Sequence, residues 1–134
     1  RVLERVTKEL GLESRLSIRT ERAESTGQNP DFRGVFDRAM ARAVAPAPIV
    51  AEYLIPLLNH TGEAIVFRGK WTLSDKKNLT KALIELKGDL IRTERQNLPF
   101  NIGIRHQIRL KTKGACPKKY PREVGIPSKR PLGS

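Results

Sequence analysis

A chain of 134 residues, 38% hydrophobic and 30% charged, carries enough apolar material for one core and argues against a multidomain assembly. A single cysteine excludes an internal disulfide, and no apolar run reaches the roughly 20 residues that a membrane-spanning helix needs. Lys and Arg outnumber Asp and Glu by 26 to 14, and this net charge of +12 favours a polyanionic partner, nucleic acid first and an anionic membrane surface second.

The chain opens Arg1-Val2-Leu3, without Met and without a signal-peptide pattern, so residues are expected upstream. Val2, Val6 and Leu10 recur at four-residue spacing with Leu3 beside them, which predicts a helix over 1–10 that Gly11 ends. Residues 16–20 alternate apolar and polar and read as a short strand. Residues 21–34, with Gly27, Asn29, Pro30 and Gly34, read as a loop with room for a helical turn at its start. Val35, Phe36 and Met40 mark a strand over 35–43. Ala45-Pro46-Ala47-Pro48 opens a helix, because proline is tolerated in a first turn, and Ile49, Val50, Tyr53, Leu54, Leu57 and Leu58 give it an apolar face. Pro56 bends or closes it.

Asn59-His60-Thr61-Gly62 reads as a turn, and Ala64-Ile65-Val66-Phe67 as a strand covered on both faces. Ser74 is expected to cap a helix carrying Leu79, Ala82, Leu83 and Leu86, which Gly88 closes. Residues 89–95 read as a further strand. Over 104–111, Ile104, His106, Ile108 and Leu110 face one way and Arg105, Gln107, Arg109 and Lys111 the other, the pattern of a strand with one solvated face. From Lys113 the sequence turns to Gly, Pro and basic residues, so a domain over 1–112 is followed by a basic, proline-rich tail over 113–134. This order of elements predicts an α/β domain with a mainly parallel sheet and a terminal antiparallel hairpin, an arrangement characteristic of Rossmann-like methyltransferases.

Several segments carry a family resemblance. Phe36-Asp37-Arg38-Ala39-Met40-Ala41-Arg42-Ala43-Val44-Ala45-Pro46 resembles the "FD…ARAVAP" segment of the bacterial ribosomal RNA small subunit methyltransferase G family, which modifies guanine N7. Arg22-Ala23-Glu24 is similar to its "RAE" element, Ala51 to Leu58 to the helix that follows, and Phe67-Arg68-Gly69-Lys70 to a strand ending in a basic-glycine turn. Tyr120-Pro121-Arg122 with Gly125, Pro127, Lys129, Pro131 and Leu132 resembles its terminal "YPR…G.P.K.PL" signature. The segments keep their order and cover nearly the whole chain.

The resemblance implies S-adenosyl-L-methionine as cofactor, small-subunit ribosomal RNA or the small ribosomal subunit as partner, and a cytoplasmic monomer without membrane contact. It implies that Ala23 and Glu24 lie near the cofactor's adenine and that Arg42 touches the cofactor. From spacing alone Arg38 and Arg42 face the same side of a strand, and only the family match favours Arg42. The family's glycine-rich loop and its ribose-binding acid have no counterpart, and no Gly-x-Gly occurs. The chain is therefore expected to be the C-terminal half of the enzyme and inactive alone.

Guanine N7 already has an in-plane lone pair, so its methylation needs alignment more than a general base. No catalytic triad, obligatory base or metal is expected. His60 reads as a turn residue, His106 as strand packing and Cys116 as an inert tail thiol. The tail carries Lys113, Lys118, Lys119, Arg122, Lys129 and Arg130 against Glu123, which predicts a phosphate-binding stripe with Arg105, Arg109 and Lys111. Four prolines suggest that the tail is stiff and packed on the domain. Tyr120 could stack on a base, Arg68 and Lys70 are further RNA-binding candidates, and Trp71 reads equally as a substrate stacker or a lid of the core. A non-catalytic RNA-binding module is the alternative, and a nicotinamide enzyme is disfavoured by the missing Gly-x-Gly-x-x-Gly.

Overall fold

The structure is a computed structural model that describes residues 1–42 and 45–134. In chain order the elements are α1 (Val2–Glu9), α2 (Ala23–Gln28), β1 (Phe36–Arg42), α3 (Ala47–Leu54), β2 (Leu58–Arg68), α4 (Leu73–Leu86), β3 (Gly88–Asn97), β4 (Ile104–Thr112) and α5 (Ile126–Lys129). The strands form one sheet of order β1-β2-β4-β3. β1 and β2 are parallel, whereas β2–β4 and β4–β3 are antiparallel. The expected terminal hairpin is therefore present. The expected mainly parallel sheet is not, since among the described residues parallel pairing is confined to β1 and β2. The fold is mixed α/β.

The register explains the core. Ala39 pairs with Ala64, which pairs with Leu110, which pairs with Leu90. Ala41, Val66 and Ile108 form the next row. With a period of two these rows share one face, and they pack with Val50, Ala51 and Leu54 of α3 and Leu79, Leu83 and Leu86 of α4. The other face carries rows such as Met40–Ile65–Arg109 and Arg42–Phe67–Gln107. Arg109 there links Glu94 at 2.7 Å and Glu63 at 3.7 Å. The expectation that 64–67 is covered on both faces fails for this reason: Ala64 and Val66 are buried, but Ile65 and Phe67 are half-exposed.

Other local expectations are corrected by identifiable chemistry. Residues 16–20 form no strand and pair with no other strand among the described residues. Residues 59–62 belong to β2, where they bulge opposite Asp37 between the pairs Phe36–Leu58 and Arg38–Glu63. The turn chemistry is real but sits inside the strand. Asn59 Oδ1 accepts from the Thr61 N–H at 3.1 Å, and a Cβ on Gly62 would lie 2.7 Å from the Phe36 carbonyl oxygen. Thr72, not Ser74, caps α4, through a capping box with Asp75 (3.1 and 2.9 Å). Lys87 takes the left-handed position that ends the helix, and Gly88 begins β3. The strand expected over 35–43 is observed as Phe36–Arg42; Ala43, with Val44 of the family-like segment, lies outside the described residues.

The helix predicted over 1–10 is present as α1, but Val2, Leu3, Val6 and Leu10 of its apolar stripe are all exposed. The tail packs on the domain and is not a loose appendage. Tyr120, Pro121, Pro127 and Leu132 are buried. The Arg33 guanidinium donates to the carbonyl oxygens of Gly27 (3.1 Å), Cys116 (3.1 Å), Pro117 (2.9 Å) and Tyr120. Gln28 Nε2 donates to Pro121 (2.7 Å) and Lys118 (3.1 Å).

Candidate functional site

A cleft of about 910 Å³ lies where the carboxyl ends of β1 and β2 meet the amino end of β4 and the far end of β3. Three arginines line it, Arg42, Arg68 and Arg105, with Phe67, Gln96 and His106 among the others, and no carboxylate does. A concave site with this one-signed lining concentrates anions. Arg68 Nη1 donates to the Ala45 carbonyl at 2.6 Å, which ties the end of β2 to the segment after β1. His106 Nδ1 lies 2.7 Å from the Gly69 carbonyl oxygen. A carbonyl can only accept, so Nδ1 is the donor in this contact. Arg105 Nη1 donates to the Ile104 carbonyl at 3.0 Å and lies over Gly103, whose φ of 138° suits a residue without a Cβ. Lys70 is exposed beside Gly69.

The structure thus separates two arginines that spacing could not. Arg42 lines the cleft. Arg38 sits at the other end of β1, opposite Glu63, with Nη1 donating to the Asp37 carbonyl.

Ala23 and Glu24 are not brought to this cleft. They open α2, which packs on α3 and the turn after it. Glu24 is 2% exposed. Its Oε2 accepts from the Gly125 N–H at 2.8 Å and Arg22 Nη2 at 3.1 Å, while Oε1 is buried with no hydrogen-bond partner among the described residues. Burial opposes the charge of this carboxylate, but the Gly125 N–H, its own N–H and Arg22 outweigh it and hold its pKa below the usual carboxylate value. The Arg42 guanidinium suits a carboxylate or phosphate oxygen. The Glu24 side chain is turned inward to the tail, so only the backbone of the Ala23–Glu24 turn is left to meet a ligand.

The tail residues divide. Lys118, Lys119 and Lys129 are exposed, with Lys119 Nζ 5.3 Å from the centre of the Tyr120 ring. Tyr120 is 3% exposed and belongs to the core, so its ring offers no open face to a base. Arg122 grips Glu52, a fully buried carboxylate on α3. Its Nη2 donates to Oε1 at 2.8 Å, and its Nε and backbone N–H donate to Oε2 at 3.0 and 2.8 Å.

Trp71 packs against the core, with its indole N–H buried and without a partner among the described residues. Burial pushes the Cys116 thiol up to about 11, against the pull of Arg33, which keeps it protonated and unreactive near neutral pH. His60 is exposed in the β2 bulge. Among the described residues no group of His, Cys, Asp or Glu could hold a metal ion, and no helix is long and apolar enough to cross a membrane. Sequence reasoning passed over Gln96 and Leu98, which line the cleft, and Arg33 and Glu52, which hold the tail. Isolated polar residues carry no periodic signal, and only the fold shows what they face.

No family model matches the chain. The chain is 56% identical over 132 residues to the ribosomal RNA small subunit methyltransferase G of Prochlorococcus marinus (strain MIT 9313), a match covering 98% of this chain and 53% of that protein. It is 52% identical over 131 residues to the same protein of Prochlorococcus marinus (strain NATL2A), covering 98% and 53%. It is 50% identical over 132 residues to that of Synechococcus sp. (strain CC9311), covering 98% and 52%. The chain spans about half the length of the curated relatives it matches. Over that half, with its sequence matched nearly end to end, the chain is similar to proteins named ribosomal RNA small subunit methyltransferase G.

Proposed function

We propose that the chain is the C-terminal half of a Rossmann-like methyltransferase that transfers a methyl group from S-adenosyl-L-methionine to guanine N7 of small-subunit ribosomal RNA. The observation that carries this reading is the cleft of three arginines and no carboxylate at the carboxyl ends of β1 and β2, in a chain half-identical to relatives named for that RNA. Ligands of α/β sheets bind at the carboxyl ends of parallel strands. A parallel pair followed by an antiparallel hairpin whose last strand lies inside the sheet supports the Rossmann-like reading.

In this reading Arg42 pairs with the donor's carboxylate in the cleft, and the donor's adenine extends beyond the cleft lining toward the backbone of Ala23 and Glu24. Bound S-adenosyl-L-methionine supplies the methyl group on a sulfonium. Arg68, braced on Ala45, holds the cleft wall and one RNA phosphate. Arg105, Lys70, Lys118, Lys119 and Lys129 take further phosphates. Tyr120 and Arg122 contribute by fixing the tail that presents those lysines. N7 is an acceptor from the start, so these residues have only to align it with the methyl carbon. The chain alone, without a glycine-rich loop, binds RNA and does not turn over.

The test is methyl transfer by the full-length protein, with labelled donor and small-subunit RNA or assembled subunits, followed by digestion and mass spectrometry. Label on guanine N7 is expected; label elsewhere, or none, contradicts the reading. Replacing Lys118, Lys119 and Lys129 together by Ala should weaken RNA binding at low salt. It should flatten the log K against log salt slope by about 2, while donor affinity stays unchanged. An unaltered slope in a filter-binding titration would remove the tail from the RNA interface.

A further inference from the structure

The loop that closes the β3–β4 hairpin has a feature that the cleft does not use. The Leu98 N–H donates to the Gly103 carbonyl at 2.8 Å and pinches the loop shut. Outside that pinch Phe100 is 92% exposed and Ile102 63%. Phe100 and Asn101 both hold positive φ, 60° and 54°. A bulky L-residue rarely adopts this conformation, and such strained positions cluster where ligands are clamped. Residues 97–105 include no acid, and Arg95 and Arg105 flank the tip. Leu98, Gln96 and Arg105 line the arginine cleft, so the tip stands on its rim. A lone exposed apolar side chain needs no explanation. A flat ring held out on strained backbone, between arginines and beside an anion-accepting cleft, has the parts of a base-stacking platform.

We infer that Phe100 stacks on an unpaired RNA base next to the target nucleotide while Arg95 and Arg105 hold the flanking phosphates. This rests on the RNA reading above. RNA is favoured over a protein partner because the tip and the cleft beside it are cationic and free of carboxylates.

The test uses the full-length protein with naked small-subunit RNA, and with assembled subunits in parallel. Because Phe100 lies outside the core, its replacement should leave the melting temperature unchanged. Phe100→Ala and Phe100→Leu should each weaken RNA binding about tenfold and leave the donor KM unchanged. Phe100→Trp should keep wild-type affinity, with fluorescence quenched as RNA binds. Wild-type affinity in the Ala variant, or full rescue by Leu, would overturn the platform. A loss seen on assembled subunits but not on naked RNA would assign the tip to a ribosomal protein and overturn it equally. RNA binding and methylation that are the same in the wild type and the residue-100 variants refute only this inference; a wild-type protein that transfers no methyl to RNA refutes the function beneath it.

Discussion

Arg122→Ala should destabilise the protein by about 3–5 kcal/mol, measured as the loss of unfolding free energy in a urea titration. Glu52 is fully buried in α3, and Arg122 gives it the three hydrogen bonds its carboxylate accepts from the described residues, two from the guanidinium and one from the backbone. Removing the guanidinium leaves a buried carboxylate with a backbone N–H alone, and the desolvation of that charge is then uncompensated. The same Nη2 donates to the Arg130 carbonyl at 2.6 Å, so the last turn of the tail loosens as well. Glu52→Gln should cost less, because the Arg122 side chain is 23% exposed and water can solvate what the amide does not. A loss below about 1 kcal/mol for Arg122→Ala would mean that the latch is decorative.

The second large effect is on activity. If Arg42 pairs with the donor's carboxylate as proposed, Arg42→Glu in the full-length protein should lower methyl transfer about a hundredfold or more, mainly through weaker donor binding, because the substitution would turn that charge-assisted contact into a like-charge repulsion. Arg38→Glu, on the same strand but outside the cleft, should change it little. Side-by-side donor titrations decide this. Equal losses in the two variants would mean that the effect is overall charge and not the cleft.

These two arginines also show how far the sequence could be read. Alternation located 104–111 as a strand and put Ile108 and Leu110 inward, as observed, because a period of two needs no knowledge of neighbours. Alternation also predicted a strand at 16–20, where no strand forms among the described residues, because a strand exists only with a partner. Asn59 to Gly62 has true turn chemistry, but register makes it a bulge inside β2. At the site, resemblance named Arg42, and the fold places it, and not Arg38, on the cleft. Arg122 and Tyr120 looked like RNA contacts because a basic residue and an aromatic in a tail read alike whether they face outward or inward. Only Glu52, 70 residues away, reveals which holds for Arg122.

On the proposed function, RNA meets this chain along the arginine cleft and its hairpin rim. Photo-cross-linking of 4-thiouridine-substituted small-subunit RNA to the full-length protein, with the adducts mapped by mass spectrometry, tests it most directly. Within this chain, adducts are expected on the peptides spanning 67–70 and 96–107. Adducts confined to α4 and α1, with none at those two segments, would contradict it.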